Sequence, residues 1–217
     1  METFEFGYPR ECAICNSSNG FSGNLKVKPY FQKGTMNKSV MLIGQDPTIY
    51  NNPDRVKYVL MLDQENGQLK RWLREDVFDQ AIFDSVKLYA TNLVKCTLNA
   101  PPGTNSKDKT ILQSCFVKCK SYLVKEIELF KPDLIITFGE PTHKLFSTLI
   151  DNSASHVYTM QNDFIGQFQE VTLNGLNFLY SPCLHIKTFR VAKVYGEKIK
   201  LFKGSLAAVL TDKKTGI

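Results

Sequence analysis

Four short apolar runs punctuate the chain: Val40 to Ile43, Leu88 to Val94, Leu134 to Phe138 and Phe178 to Tyr180, each bounded by a turn or polar residue. Short continuous runs of this kind predict strands buried on both faces. Between them the apolar spacing changes to three-to-four. Gln68 to Glu75 carries Leu69, Trp72 and Leu73, and Ile111, Cys115, Cys119, Leu123 and Ile127 share one stripe of a longer helix. A further helix opens with Pro141 in its first turn and runs to Ile150. The last, Thr188 to Lys203, is expected to turn Val191, Val194, Tyr195, Ile199 and Phe202 inward. Alternating strand and helix predict an α/β fold, a mostly parallel sheet covered on both faces. Tyr50 to Gly67 and Thr97 to Lys109, rich in Asn, Pro, Gly and Lys, read as long loops at the ligand-bearing edge.

With 217 residues and 43% apolar content, the chain can bury one substantial core, and a single domain over 1–217 is expected. The N-terminus lacks the basic flank and apolar core of a signal peptide. No segment approaches the roughly 18 apolar residues of a membrane span. A soluble, cytoplasmic monomer with no membrane partner is the expectation. In that compartment the six cysteines are poor disulfide candidates, leaving metal or cluster ligation, catalysis or burial. The net charge of +6 favours a polyanionic partner.

The densest chemistry lies at Met41-Leu42-Ile43-Gly44-Gln45-Asp46-Pro47. A buried strand ending in Gly-X-Asp-Pro delivers a carboxylate to the C-terminal edge of a parallel sheet, where open α/β folds hold their ligands. The plain alternative for Asp46 is an Asx turn before Pro47. Cys12-Ala13-Ile14-Cys15 has the spacing of a metal-gripping knuckle. Cys96 ends the second strand, and Cys119 follows on the next helix, so four sulfurs can converge if the N-terminus folds across that edge. Cys115, one turn before Cys119, reads as a core thiol. Zinc and an iron-sulfur cluster both remain open.

Several segments together resemble the iron-sulfur branch of the uracil-DNA glycosylase superfamily. They are Cys12-Ala13-Ile14-Cys15, the strand Tyr89 to Cys96 reading YATNLVKC, the segment Cys119-Lys120-Ser121-Tyr122-Leu123, and Lys131 to Gly139 reading KPDLIITFG. The resemblance implies a three-layer α/β/α fold around a four-stranded parallel sheet. It also implies a four-iron, four-sulfur cluster on Cys12, Cys15, Cys96 and Cys119, and cleavage of the N-glycosidic bond of a flipped base. Two motifs depart from that branch. Gly44-Gln45-Asp46-Pro47 looks like the water-activating motif of the clusterless uracil glycosylases, and the tyrosine that normally follows it to block pyrimidine C5 is here Thr48. Where the family carries His-Pro-Ser, the chain reads Tyr180-Ser181-Pro182-Cys183-Leu184-His185, so Ser181 replaces the leaving-group histidine.

The chemistry follows from the bond to be broken. Departure of a pyrimidine builds positive charge on the sugar and negative charge on the base. Asp46 supplies the anion and orients water; Ser181 or His185 donates to the base. Gly44, Gln45, Thr48, Asn92 and Cys183 complete the substrate set, with the Asn92 carboxamide able to read a Watson-Crick edge. Tyr50, Tyr58 and Phe31 are candidates to stack on the base, although aromatics are more often core. His143 and His156 read as surface residues. Lys187, Arg190 and Lys193, directly after the Ser181 to His185 loop, suit DNA phosphates. The smaller Thr48 tilts the expected target toward a 5-substituted cytosine, such as the hypermodified bases of phage DNA, and hence an antiviral defence role. Uracil repair is the alternative reading, and a weakly catalytic sensor of modified or damaged DNA is the alternative of another class.

Overall fold

The computed structural model describes residues 27–48, 52, 54–97, 106–150, 157–191 and 193–211. Six strands form one sheet in the order β1-β3-β2-β4-β6-β5. They are β1 Tyr30–Gln32, β2 Ser39–Gly44, β3 Lys87–Asn92, β4 Leu134–Phe138, β5 Gln169–Leu173 and β6 Leu176–Cys183. The central four, β3, β2, β4 and β6, are mutually parallel, and these are the strands that the apolar runs predict. β1 and β5 are added antiparallel at the two edges. They escape the pattern because an edge strand is short or half-exposed: β1 has three residues, and β5 buries only Leu173.

Strand alternation divides the core between the two faces. Val40, Leu42, Leu88, Ala90, Leu134 and Ile136 share one apolar cluster with Trp72, Phe83, Phe202 and Leu206. Met41, Ile43, Tyr89, Ile135, Phe178 and Tyr180 share another with Phe116, Leu123, Ile127, Phe130 and Phe146. The first face is thus covered by α1 Gln68–Trp72, α2 Gln80–Ser85 and α7 Gly196–Thr211, and the second by α3 Ser106–Phe130 and α4 Glu140–Ile150. This is the expected three-layer α/β/α arrangement. Helices α5 Met160–Asp163 and α6 Ile186–Val191 are short connectors. Among the described residues no helix is long and apolar enough to cross a membrane.

Two expectations are corrected. The last helix is not continuous: α6 gives way to a 3-10 turn at Lys193–Tyr195 before α7, and Val194 is 82% exposed instead of packed inward. His143 is buried in α4. Its Nδ1 meets the Tyr180 hydroxyl at 2.7 Å and Nε2 meets Asp163 Oδ2 at 3.0 Å. These partners arrive from distant segments, so local polarity alone reads the residue as surface.

Candidate active site

The connection leaving β2 leads to β3 on one side, while that leaving β4 leads to the β5–β6 hairpin on the other. The carboxyl ends of β2 and β4 therefore flank a topological switch point, where open α/β sheets form a crevice. A cavity of about 710 Å³ lies there, lined by Gly44 to Thr48 after β2, Phe138 to Pro141 after β4, Asn92 at the end of β3, and His185.

β2 ends at Gly44, opposite Asn92 in register. A Cβ on residue 44 would stand 2.4 Å from Asn92 Oδ1, so only glycine lets the carboxamide pass. Asn92 is 4% exposed and lines the cavity, yet its carboxamide forms no hydrogen bond to a described residue. A buried amide without a partner among the described residues is well suited to a ligand's donor and acceptor pair. The chain leaving β3 is zipped to the motif loop, with Leu93 N donating to the Gly44 carbonyl at 2.9 Å and Val94 N to the Gln45 carbonyl at 3.1 Å.

Asp46 is held by its neighbours. Gln45 Nε2 donates to Oδ1 at 2.7 Å and Thr48 Oγ1 donates to Oδ2 at 2.5 Å. Burial raises the Asp46 carboxyl above its ordinary range, and the two donors pull it partway back. Thr48 is therefore both a smaller neighbour than tyrosine and a direct ligand of the carboxylate. The apolar wall comprises Val56, Val59, Leu60, Met61, Trp72 and Phe138. Leu60 and Met61 adopt left-handed backbone (φ 56 and 52), a conformation rarely kept by such side chains away from functional sites.

At the β6 end, Ser181 and Cys183 lie on the same strand face and are both fully buried. Ser181 pairs with Ile136, inside the sheet, and its hydroxyl donates to the Pro182 carbonyl at 3.1 Å. Cys183 belongs to the apolar core, where burial drives its thiol pKa up. Neither residue lines the cavity. His185, two positions beyond the strand, does. Its Nδ1 accepts from Lys187 N at a long 3.4 Å, which leaves Nε2 as the protonated nitrogen of the neutral ring. Partial desolvation by the cavity, and then the Lys187 charge, lower its pKa, which favours the neutral ring as a donor. The turn into α4 is made by Gly139 at φ +85, whose absent Cβ would stand 3.7 Å from His185 Cβ.

The stacking candidates lie elsewhere. Tyr58 meets Tyr30 edge-on at 6.4 Å, Phe31 packs on the opposite face of the sheet, and Tyr50 is outside the described residues. Trp72 and Phe138, in contact at 5.3 Å, are the aromatic residues of the cavity wall. Trp72 reads as helix core in the sequence, and Phe138 as the last residue of a buried strand; only the fold brings them to one wall.

Of the basic residues, Lys187 and Lys193 are exposed. Arg190 holds Asp76 Oδ2 through Nε at 3.2 Å and Nη2 at 3.1 Å. Cys96 and Cys119 are buried at 1% and 2% exposure. Cys96 packs in a small cluster with Val94, Leu112 and Cys115. Cys12 and Cys15 lie outside the described residues, and among the described residues no three metal-ligating side chains converge.

No curated protein matches the chain. The family model of the Uracil DNA glycosylase superfamily matches residues 31–194, a span running from β1 through the cavity-lining loops to the 3-10 turn before α7. The parallel sheet, the cavity at its switch point and this match together make the chain a member of the uracil-DNA glycosylase superfamily.

Proposed function

We propose that the chain is a DNA glycosylase that hydrolyses the N-glycosidic bond of a flipped pyrimidine and leaves an abasic site. The observation that carries the reading is the half-buried, hydrogen-bonded Asp46 carboxylate in one cavity with an Asn92 carboxamide that has no partner among the described residues. The carboxylate stabilises the oxocarbenium-like sugar and orients water, while Asn92 holds the polar edge of the base. Neutral His185 donates from the other end of the cavity to the departing base. Ser181, enclosed within β6, supports the strand instead.

The preferred base is a 5-substituted pyrimidine, with hypermodified cytosine as the leading member and antiviral defence as the matching role. Thr48 supports this, because it leaves space where tyrosine would stand. The test is a panel of oligonucleotides containing uracil, 5-hydroxymethylcytosine or glucosylated 5-hydroxymethylcytosine, cleaved with alkali after incubation. Faster release of a 5-substituted base is expected. Robust uracil excision with none from the modified cytosines overturns the specificity, and no release from any overturns the function.

A four-iron, four-sulfur cluster on Cys12, Cys15, Cys96 and Cys119 completes the proposal. The fit is supported by two buried thiols, soft donors near the exit of β3 and on α3. When bound, such a cluster adds ligation free energy to folding. Brown protein that loses iron on Cys119→Ser but not on Cys115→Ser is expected; stoichiometric zinc in colourless protein overturns it.

A further inference from the structure

Two charged side chains are fully buried outside the cavity. Lys95, just after β3, is 1% exposed, and Glu126, in the middle of α3, is 0% exposed. The Lys95 ammonium pairs with Glu126 and also donates to the Asn92 carbonyl at 2.6 Å and to Thr91 Oγ1 at 2.7 Å. Glu126 accepts in addition from the Tyr89 hydroxyl at 2.6 Å and the Thr91 hydroxyl at 2.8 Å. The network thus grips Tyr89, Thr91 and Asn92 of β3 from beneath, and none of its charged members lines the cavity.

Such a pair is a poor device for stability. The cost of taking both charges out of water offsets their attraction, and apolar residues of similar size often hold a core as well. What the pair adds is direction. The ammonium bonds the carbonyl of the residue whose carboxamide faces the cavity, and that carboxamide has no described hydrogen-bond partner of its own to fix it. Its place is set by its backbone and by the close passage over Gly44.

We infer that Lys95 and Glu126 are positioning residues for Asn92, holding its backbone so that the carboxamide meets the base at the productive angle. The inference rests on the base-release reading given above. Lys95→Met alone would strand a buried carboxylate and unfold the chain, so the informative variant is Lys95→Met combined with Glu126→Leu. Single-turnover base release by this double variant is expected to fall on the order of 100-fold on the preferred base, as for a misplaced reactive group, and discrimination between bases should collapse. Adding Asn92→Ala should then cost less than about two-fold, because the coupled contribution is already lost. A double variant that keeps its selectivity, or in which Asn92→Ala costs as much as in wild type, overturns the inference. So does one that fails to fold, because the pair would then be a stability element. A crystal structure of the double variant reads the same point without substrate: Asn92 displaced or in several conformers is expected, and a single wild-type placement overturns the inference. Wild type that releases no base would fail the proposed function and leave this structural arm to decide the positioning role.

Discussion

β2 and β6 are the two parallel neighbours of β4, and both end at the same edge of the sheet, yet they present chemistry in opposite ways. β2 stops at Gly44 and hands its polar residues to the loop, so Gln45, Asp46 and Thr48 reach the cavity as one hydrogen-bonded unit. β6 carries on to Cys183, and its polar residue, Ser181, is sealed two positions inside the strand. His185, which follows, faces the cavity in its place. A functional side chain at a sheet edge is defined by where pairing ends as much as by residue type, because one more strand pair moves a hydroxyl from solvent to core.

The contrast can be broken in graded steps. Asp46→Asn removes the anion from the β2 edge and should lower single-turnover base release about 1000-fold or more with DNA binding intact; a loss of only a few-fold would dissociate the carboxylate from the chemistry. Gly44→Ala should displace Asn92 and cost on the order of 100-fold, with little change in Tm. At the β6 edge, His185→Ala should cost roughly 10-fold to 100-fold, at the lower end for a proton donor, whereas Ser181→Ala should change the rate by less than about two-fold. Equal effects for the two would erase the distinction between these positions. Thr48→Val removes one donor to Asp46, so the Asp46 pKa should rise further and the acid limb of the pH–rate profile should move to higher pH. The smallest effect is electrostatic. Lys187→Gln with Lys193→Gln should weaken DNA binding similarly for all sequences and flatten its salt dependence, and Arg190→Gln should do less because Asp76 already engages that side chain.

Both the four parallel strands and the β2 edge are legible in the sequence because their signals are local. Val40 to Ile43 and Leu134 to Phe138 are continuous apolar runs, and Gly44-Gln45-Asp46 breaks the first abruptly. The β6 edge is harder to read, since nothing local says that pairing continues through Pro182 and Cys183. The same limit applies to Lys95, whose burial depends on Glu126, 31 residues away, and to His143, buried by Asp163 and Tyr180. The Leu60 and Trp72 wall joins a stretch that reads as a loop to a helix whose apolar residues read as ordinary core.

The most direct test of the account is the pH dependence of abasic-site formation by the wild-type protein under single-turnover conditions on its best base. Asp46 acts as the ionised form and burial raises its pKa, so activity should fall as pH drops through a value above the ordinary aspartate pKa of about 4, with a single-proton slope that is absent from the residual rate of Asp46→Asn. A profile that is flat into the ordinary carboxylate range, or the same limb persisting in Asp46→Asn, would contradict the assignment of the Asp46 carboxylate as the group that drives cleavage.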